Sequence, residues 1–158
     1  MEEKVLIPLD GSKVGEAAIP VIEGRMTKWS PELKVGITLL GVVTMLRHWV
    51  VVGEASAPVS YTEEEMRLIR QRVTDYLEKS GETFRNKGAV VRTMVRIGNA
   101  AEEILRAADE INADMIAMST HGRSGLRRLA FGSTTDKVLR GASGPVLLVR
   151  APEGTANV

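Results

Sequence analysis

Five short apolar runs, separated by stretches of helical period, constrain this chain more than any other feature. They are Val5-Leu6-Ile7-Pro8-Leu9, Val35 to Val43, Val90 to Val95, Ala113 to Met118 and Val146 to Val149. Runs that are apolar without strict alternation read as strands buried on both faces. Strands that alternate with helices pair in parallel through right-handed crossovers, and the helices then cover both faces. The expected class is α/β, a single-domain open five-stranded parallel sheet within residues 1–150, followed by a frayed tail over 151–158. A length of 158 residues suits one domain with a core that needs no cross-links.

The intervening segments carry start and stop signals. From about Ser12 to Met26, apolar residues recur at helical spacing (Val14, Ala17, Ala18, Val21, Ile22), with a kink or break expected at Pro20. Thr62 and Glu65 form a capping box for the next helix, Tyr61 and Met66 take the staple positions, and Gly88 is the stop. Asn99, with Glu102 three residues on, caps the third helix. Gly132-Ser133 opens the fourth, and Gly144-Pro145 breaks it. Residues 44–60 form an excursion beyond the second strand, strand-like from Trp49 to Gly53 and loop-like from Ala55 to Pro58. Ser119 to Phe131 reads as a loop rich in glycine and arginine.

Composition removes several function classes. There is no cysteine, which excludes a disulfide scaffold, a thiol nucleophile and a Cys-ligated metal. The two histidines, His48 and His121, argue against a multi-His metal site. Lys plus Arg total 21 against 20 for Asp plus Glu, a balance that does not suggest a dedicated nucleic-acid binder. No apolar run approaches the roughly 20 residues of a membrane helix. Met1-Glu2-Glu3-Lys4 is acidic and runs straight into a strand-like stretch, unlike a secretory leader, so a cytoplasmic protein is expected.

In an open parallel sheet, ligands bind beyond the carboxyl ends of the strands. At the first tip, Pro8-Leu9-Asp10-Gly11-Ser12 breaks strand chemistry, either as a plain terminator with an Asp turn or as part of a site. At the fourth tip, Ser119-Thr120-His121-Gly122-Arg123-Ser124-Gly125 leads to Gly132-Ser133-Thr134 at a helix start. Glycines, hydroxyls, Arg123, Arg127, Arg128 and a helix N-terminus suit a phosphate group. The same residues also admit a second reading, in which Ser133 and Asp136 are a capping box and the arginines a solvated surface. At the second tip, Val42 could pack on a planar base or simply fill the core. No P-loop, GxGxxG or GxSxG pattern occurs.

Taken in order and spacing, these elements resemble the universal stress protein family over roughly residues 3–150. The carrying residues are Val5 to Ser12, Gly98, Ala113-Asp114-Met115-Ile116, Ser119 to Leu126, Gly132-Ser133 and Gly144 to Val149. The resemblance implies strand order 3-2-1-4-5, a Rossmann-like sheet of the adenine nucleotide alpha hydrolase type. It also implies an ATP site, or one for AMP or ADP, with Mg²⁺ on the phosphates. The family's nucleotide-binding pattern is glycine, two residues, glycine, nine residues, then glycine with serine or threonine. Gly122 and Gly132-Ser133 match it, whereas Ser119 stands where the first glycine belongs.

Carried over residue by residue, Asp10 would meet the adenine or ribose side. Pro8, Val42 and Met118 would line the base pocket. Gly122, Gly132, Ser133 and Thr134 would hold ribose and phosphates, and the Ser119 hydroxyl would contact ribose. The family also implies a homodimer through the last strand, Val146 to Val149, an apolar edge without a protecting charge. The resulting expectation is a nucleotide-binding stress-response sensor or regulator. Two rivals stand beside it: a slow ATPase or phosphotransferase using His121 and Asp10, and an interaction module in which Ser119 has closed the pocket. A nucleic-acid role for the three loop arginines lacks interleaved aromatics for stacking.

Overall fold

The structure is a computed structural model describing residues 1–44, 48–52, 55–120 and 132–155, with only the backbone described for 48–52 and 55–59. Its main sheet contains β1 (Glu2–Pro8), β2 (Lys34–Val43), β5 (Val90–Ile97), β6 (Met115–Thr120) and β7 (Val146–Arg150). All four pairings are parallel, in the order β5-β2-β1-β6-β7. Counting only these five strands, that is the expected 3-2-1-4-5. The helices are α1 (Ala18–Met26), α2 (Glu63–Arg85), α3 (Ala100–Ile111) and α4 (Ser133–Gly141).

The sheet divides the core in two. Val5 and Ile7 on β1 and Leu9 just beyond it pack with Ala18 and Ile22 of α1 and Leu77 and Phe84 of α2. Leu6, between them in sequence, turns to the other face, against Ala101 and Ile104 of α3 and Val138 of α4. Residues 5, 6 and 7 are fully buried. This is why the β1 run shows no polar alternation: both faces are covered. Each such side chain contributes roughly 1.5–3 kcal/mol by leaving water.

The capping signals largely hold. The Glu65 amide donates to Thr62 Oγ1 at 3.2 Å and the Thr62 amide to Glu65 Oε2 at 2.8 Å, so the capping box forms. The Glu102 amide donates to Asn99 Oδ1 at 3.2 Å and starts α3. Gly88, at φ +85°, takes the left-handed conformation just beyond α2.

Three local expectations need correction. The first helix does not run from Ser12: a single 3-10 turn spans Gly15–Ala17, and α1 starts at Ala18. Pro20 then sits in the first turn, where its missing N–H breaks no helical bond, so it neither kinks nor ends the helix. Residues 55–59 are strand rather than loop. β3 (His48–Val52) and β4 (Ala55–Val59) form a separate antiparallel hairpin in which Trp49 opposes Pro58. A strand paired on one side has a free edge, where a residue lacking an N–H is tolerated. Finally, β6 lies further along the chain than Ala113 to Met118. Ser119 and Thr120 belong to it, opposite Val149 and Arg150 of β7.

Among the described residues, strand β7 pairs with β6 alone and its other backbone edge has no strand beside it. Beyond it, Ala151 is buried and its amide donates to the Thr120 carbonyl at 2.9 Å, so the first residue of the tail is anchored. Among the described residues, no helix is long and apolar enough to cross a membrane.

Candidate functional site

From β1 the chain proceeds to β2 and β5 on one side, and from β6 to β7 on the other. The carboxyl ends of β1 and β6 therefore flank the point where strand order reverses, the place where an open parallel sheet leaves a crevice. A cleft of about 560 Å³ opens there, within the range of small-molecule sites. Pro8, Leu9 and Asp10 line it from β1 and its exit, and Met118, Ser119 and Thr120 from β6. Leu40 and Val42 of β2 and Ala100 and Ile104 of α3 supply apolar wall, and Gly132 to Thr135 close one end with the start of α4.

Eight of the nine residues singled out from the sequence thus share one cleft: Pro8, Asp10, Val42, Met118, Ser119, Gly132, Ser133 and Thr134. Gly122 lies outside the described residues, as do His121, Arg123, Arg127 and Arg128. Sequence reasoning named Ser12 and Thr120 only as members of the strand tips and missed Val14, Gly15, the α3 wall and Thr135. The four-residue spacing of Ala100 and Ile104 was an available signal, because it puts both on one helix face.

The loop after β1 is held by its own side chains. The Ser12 amide and hydroxyl both donate to Asp10 Oδ1, at 2.9 and 2.6 Å, and the Gly15 amide donates to Ser12 Oγ at 3.0 Å. Gly11 adopts φ +83°, a conformation glycine enters without strain. Gly15 is required by proximity: a Cβ there would lie 2.5 Å from Asp10 Oδ1. On the outer side of the turn, the Tyr76 hydroxyl donates to Glu16 Oε1 at 3.1 Å, and Glu16 also pairs with Lys13 at 3.0 Å. Burial, and then the negative charge of Glu16, push the Tyr76 phenol well above its usual range.

The start of α4 departs from expectation. Ser133 and Asp136 make no capping box, because Gly132 is the N-cap and Ser133 is already the first helical residue. Asp136 instead accepts from Arg140 Nε at 2.9 Å, one turn along the helix. The first intrahelical bond is from the Asp136 amide to the Gly132 carbonyl. Among the described residues, the Ser133, Thr134 and Thr135 amides have no partner. Three unpaired N–H groups and the positive end of the helix dipole thus border the cleft. Gly132 has φ −54° and ψ 157°, which any residue adopts, and a Cβ there would meet nothing within 4 Å. Neither the backbone conformation nor the space around it requires a glycine there.

Ser119 does not close the cleft. Its hydroxyl donates to the Gly15 carbonyl at 2.9 Å and accepts from the Ala18 amide at 2.8 Å. Its proton is therefore committed to the Gly15 carbonyl.

The profile of the universal stress protein family matches residues 38–150. Universal stress protein MJ0531 of Methanocaldococcus jannaschii is 30% identical over 152 residues, covering 96% of this chain and 84% of that protein. Universal stress protein MJ0577 of the same organism is 26% identical, covering 95% and 96%. The solved structure of MJ0577 aligns with a TM-score of 0.70 over 96% of this chain and 98% of that one, at 21% identity. Two further solved structures carry nucleotides. A universal stress protein family member from Arabidopsis thaliana with AMP bound aligns at TM-score 0.60, 16% identity and 99% coverage of both chains. A universal stress protein from Archaeoglobus fulgidus in complex with dAMP aligns at TM-score 0.57 and 16% identity, covering 94% and 98%.

Proposed function

The chain belongs to the universal stress protein family, and from that premise we propose that it binds an adenine nucleotide in the cleft between β1, β6 and α4, with ATP as the ligand and AMP and ADP as weaker alternatives. The observation that carries this reading is the start of α4, where three amides without partners among the described residues belong to residues that line a cleft with apolar walls. Phosphates would accept from those amides and from the Ser133 and Thr134 hydroxyls. The base would lie toward Pro8, Val42 and Met118, with Asp10 on the ribose side. The AMP and dAMP complexes of proteins with the same fold support an adenine ligand.

The donor set suits a cation carried by the nucleotide rather than by the protein. Asp10 is the one carboxylate among the described lining residues, and its Oδ1 is occupied by Ser12. Mg²⁺ bound mainly through phosphates and water, with Asp10 Oδ2 as its nearest protein carboxylate, fits that arrangement. The protein would then act in the cytoplasm as a stress-response sensor or regulator, its output following nucleotide occupancy. The open edge of β7 supports a homodimer formed through Val146 to Val149. Sedimentation that shows only monomer at every concentration removes that part.

Calorimetry with ATP, ADP, AMP and adenosine tests the reading. Affinity should fall from ATP to adenosine as phosphate contacts to α4 are lost. Equal affinity for ATP and adenosine, or no heat with any of them, overturns it.

A further inference from the structure

The geometry points to Ser119 as a positioning residue that sets Asp10 through a hydrogen-bonded relay. This deepens the nucleotide reading of the cleft and rests on it for its functional consequence. The relay runs in one direction. Ser119 Oγ donates to the Gly15 carbonyl at 2.9 Å, the Gly15 amide donates to Ser12 Oγ at 3.0 Å, and the Ser12 hydroxyl donates to Asp10 Oδ1 at 2.6 Å. The Gly15 carbonyl and the Gly15 amide belong to different peptide groups, so the relay acts by position: each bond fixes the group that makes the next. Asp10 Oδ2 is left over, on an exposed residue that lines the cleft.

The same hydroxyl accepts from the Ala18 amide at 2.8 Å. Ala18 is fully buried and is the first residue of α1, where its amide closes the 3-10 turn on the Glu16 carbonyl and takes the Ser119 hydroxyl as its side-chain acceptor. One side chain on β6 thus satisfies a buried helix-start donor and anchors the turn that aims Asp10. Glycine at this position would leave the Ala18 amide and the Gly15 carbonyl without this partner. The serine is therefore not an obstruction: its hydroxyl is bonded to the turn before α1 and holds one rim of the cleft.

Three variants of the full chain, S119A, S119G and S119T, test this by two readouts. Amide hydrogen exchange without nucleotide reads the relay itself. In S119A and S119G the Ala18 and Ser12 amides should exchange about tenfold faster, the effect of one lost hydrogen bond. The Leu6 and Ile7 amides of β1 should stay protected and report an intact sheet. S119T, which keeps the hydroxyl, should restore the wild-type pattern. Unchanged protection of both Ala18 and Ser12 in S119A overturns the relay, whether or not the protein binds nucleotide.

Calorimetry reads the consequence. S119A should weaken AMP and ATP by a similar factor, about fivefold to tenfold for one bond, because the loss lies at the Asp10 rim and not at the α4 amides. In a D10A background S119A should add nothing further, since both changes act through one group. A merely structural role would instead cost the same in both backgrounds, and that result overturns the proposal. Tighter binding by S119G than by wild type also overturns it. Wild type that binds no adenine nucleotide ends the reading of the cleft but leaves the exchange experiment to judge the relay alone.

Discussion

The Tyr76 hydroxyl donates to Glu16 Oε1 across 3.1 Å and so joins α2 to the turn that leads from β1 into α1. That turn carries Gly15, which lines the cleft, and its other side is bonded to Ser119 on β6. Two elements far apart in sequence therefore clamp one short loop from opposite sides.

Alkaline titration follows from this contact. Burial and the charge of Glu16 raise the Tyr76 phenol above its usual value of about 10. The folded protein then holds a proton that the unfolded chain gives up. The resulting stability is fully present below about pH 10 and is lost as pH rises above it toward the folded value. Tyr76→Phe should cost about 1 kcal/mol at neutral pH and flatten the alkaline decline. Urea unfolding of both proteins at neutral pH and near pH 11 checks it. Parallel declines in the two proteins would show that Tyr76 does not contribute.

Gly132 should separate folding from binding. A Cβ there meets nothing within 4 Å and the backbone is in an ordinary region. Gly132→Ala should leave stability within about 0.5 kcal/mol of wild type while weakening ATP. Gly132→Asp should abolish ATP binding, because it adds a negative charge at the helix start that would receive phosphate. Thermal unfolding and calorimetry on the two variants decide this, and full ATP affinity in Gly132→Asp would exclude the α4 start as the phosphate seat.

Gly15 is the opposite case. Its Cβ would fall 2.5 Å from Asp10 Oδ1, so Gly15→Ala should force the Asp10 turn to shift. The expected cost is about 1–3 kcal/mol of stability, together with weaker binding of AMP and ATP alike. A denaturant midpoint equal to that of wild type would mean the turn yields freely.

The capping box of Thr62 and Glu65 contributes no residue to the described lining of the cleft. Thr62→Ala should lower stability by about 1 kcal/mol, with faster amide exchange confined to the first turn of α2 and nucleotide affinity unchanged. Loss of affinity in this variant would show that the start of α2 reaches the site.

Much of this architecture was legible because burial writes itself locally. The β1 run of Val5, Leu6 and Ile7 has no polar member because helices cover both sides of it, and the capping signals at Thr62 and Asn99 involve atoms three residues apart. The errors came where two local solutions competed. Ser133 with Asp136 satisfies the capping pattern, but the chain puts its extended residue at Gly132, and Arg140 takes the carboxylate. Pro20 reads as a breaker until the start of α1 moves to Ala18 and puts it in the first turn.

The order of strands and helices, the layered parallel class and the gathering of strand tips into one crevice were determined by the sequence itself, because apolar period and chain reversals are properties of neighbouring residues. What Ser119 does was decided only in three dimensions. Its partners Gly15 and Ala18 are 104 and 101 residues away along the chain. No local pattern specifies which carbonyl and which amide a hydroxyl will meet at that distance. That choice belongs to the packing of β6 beside β1, which brings the turn before α1 within 3 Å of the serine.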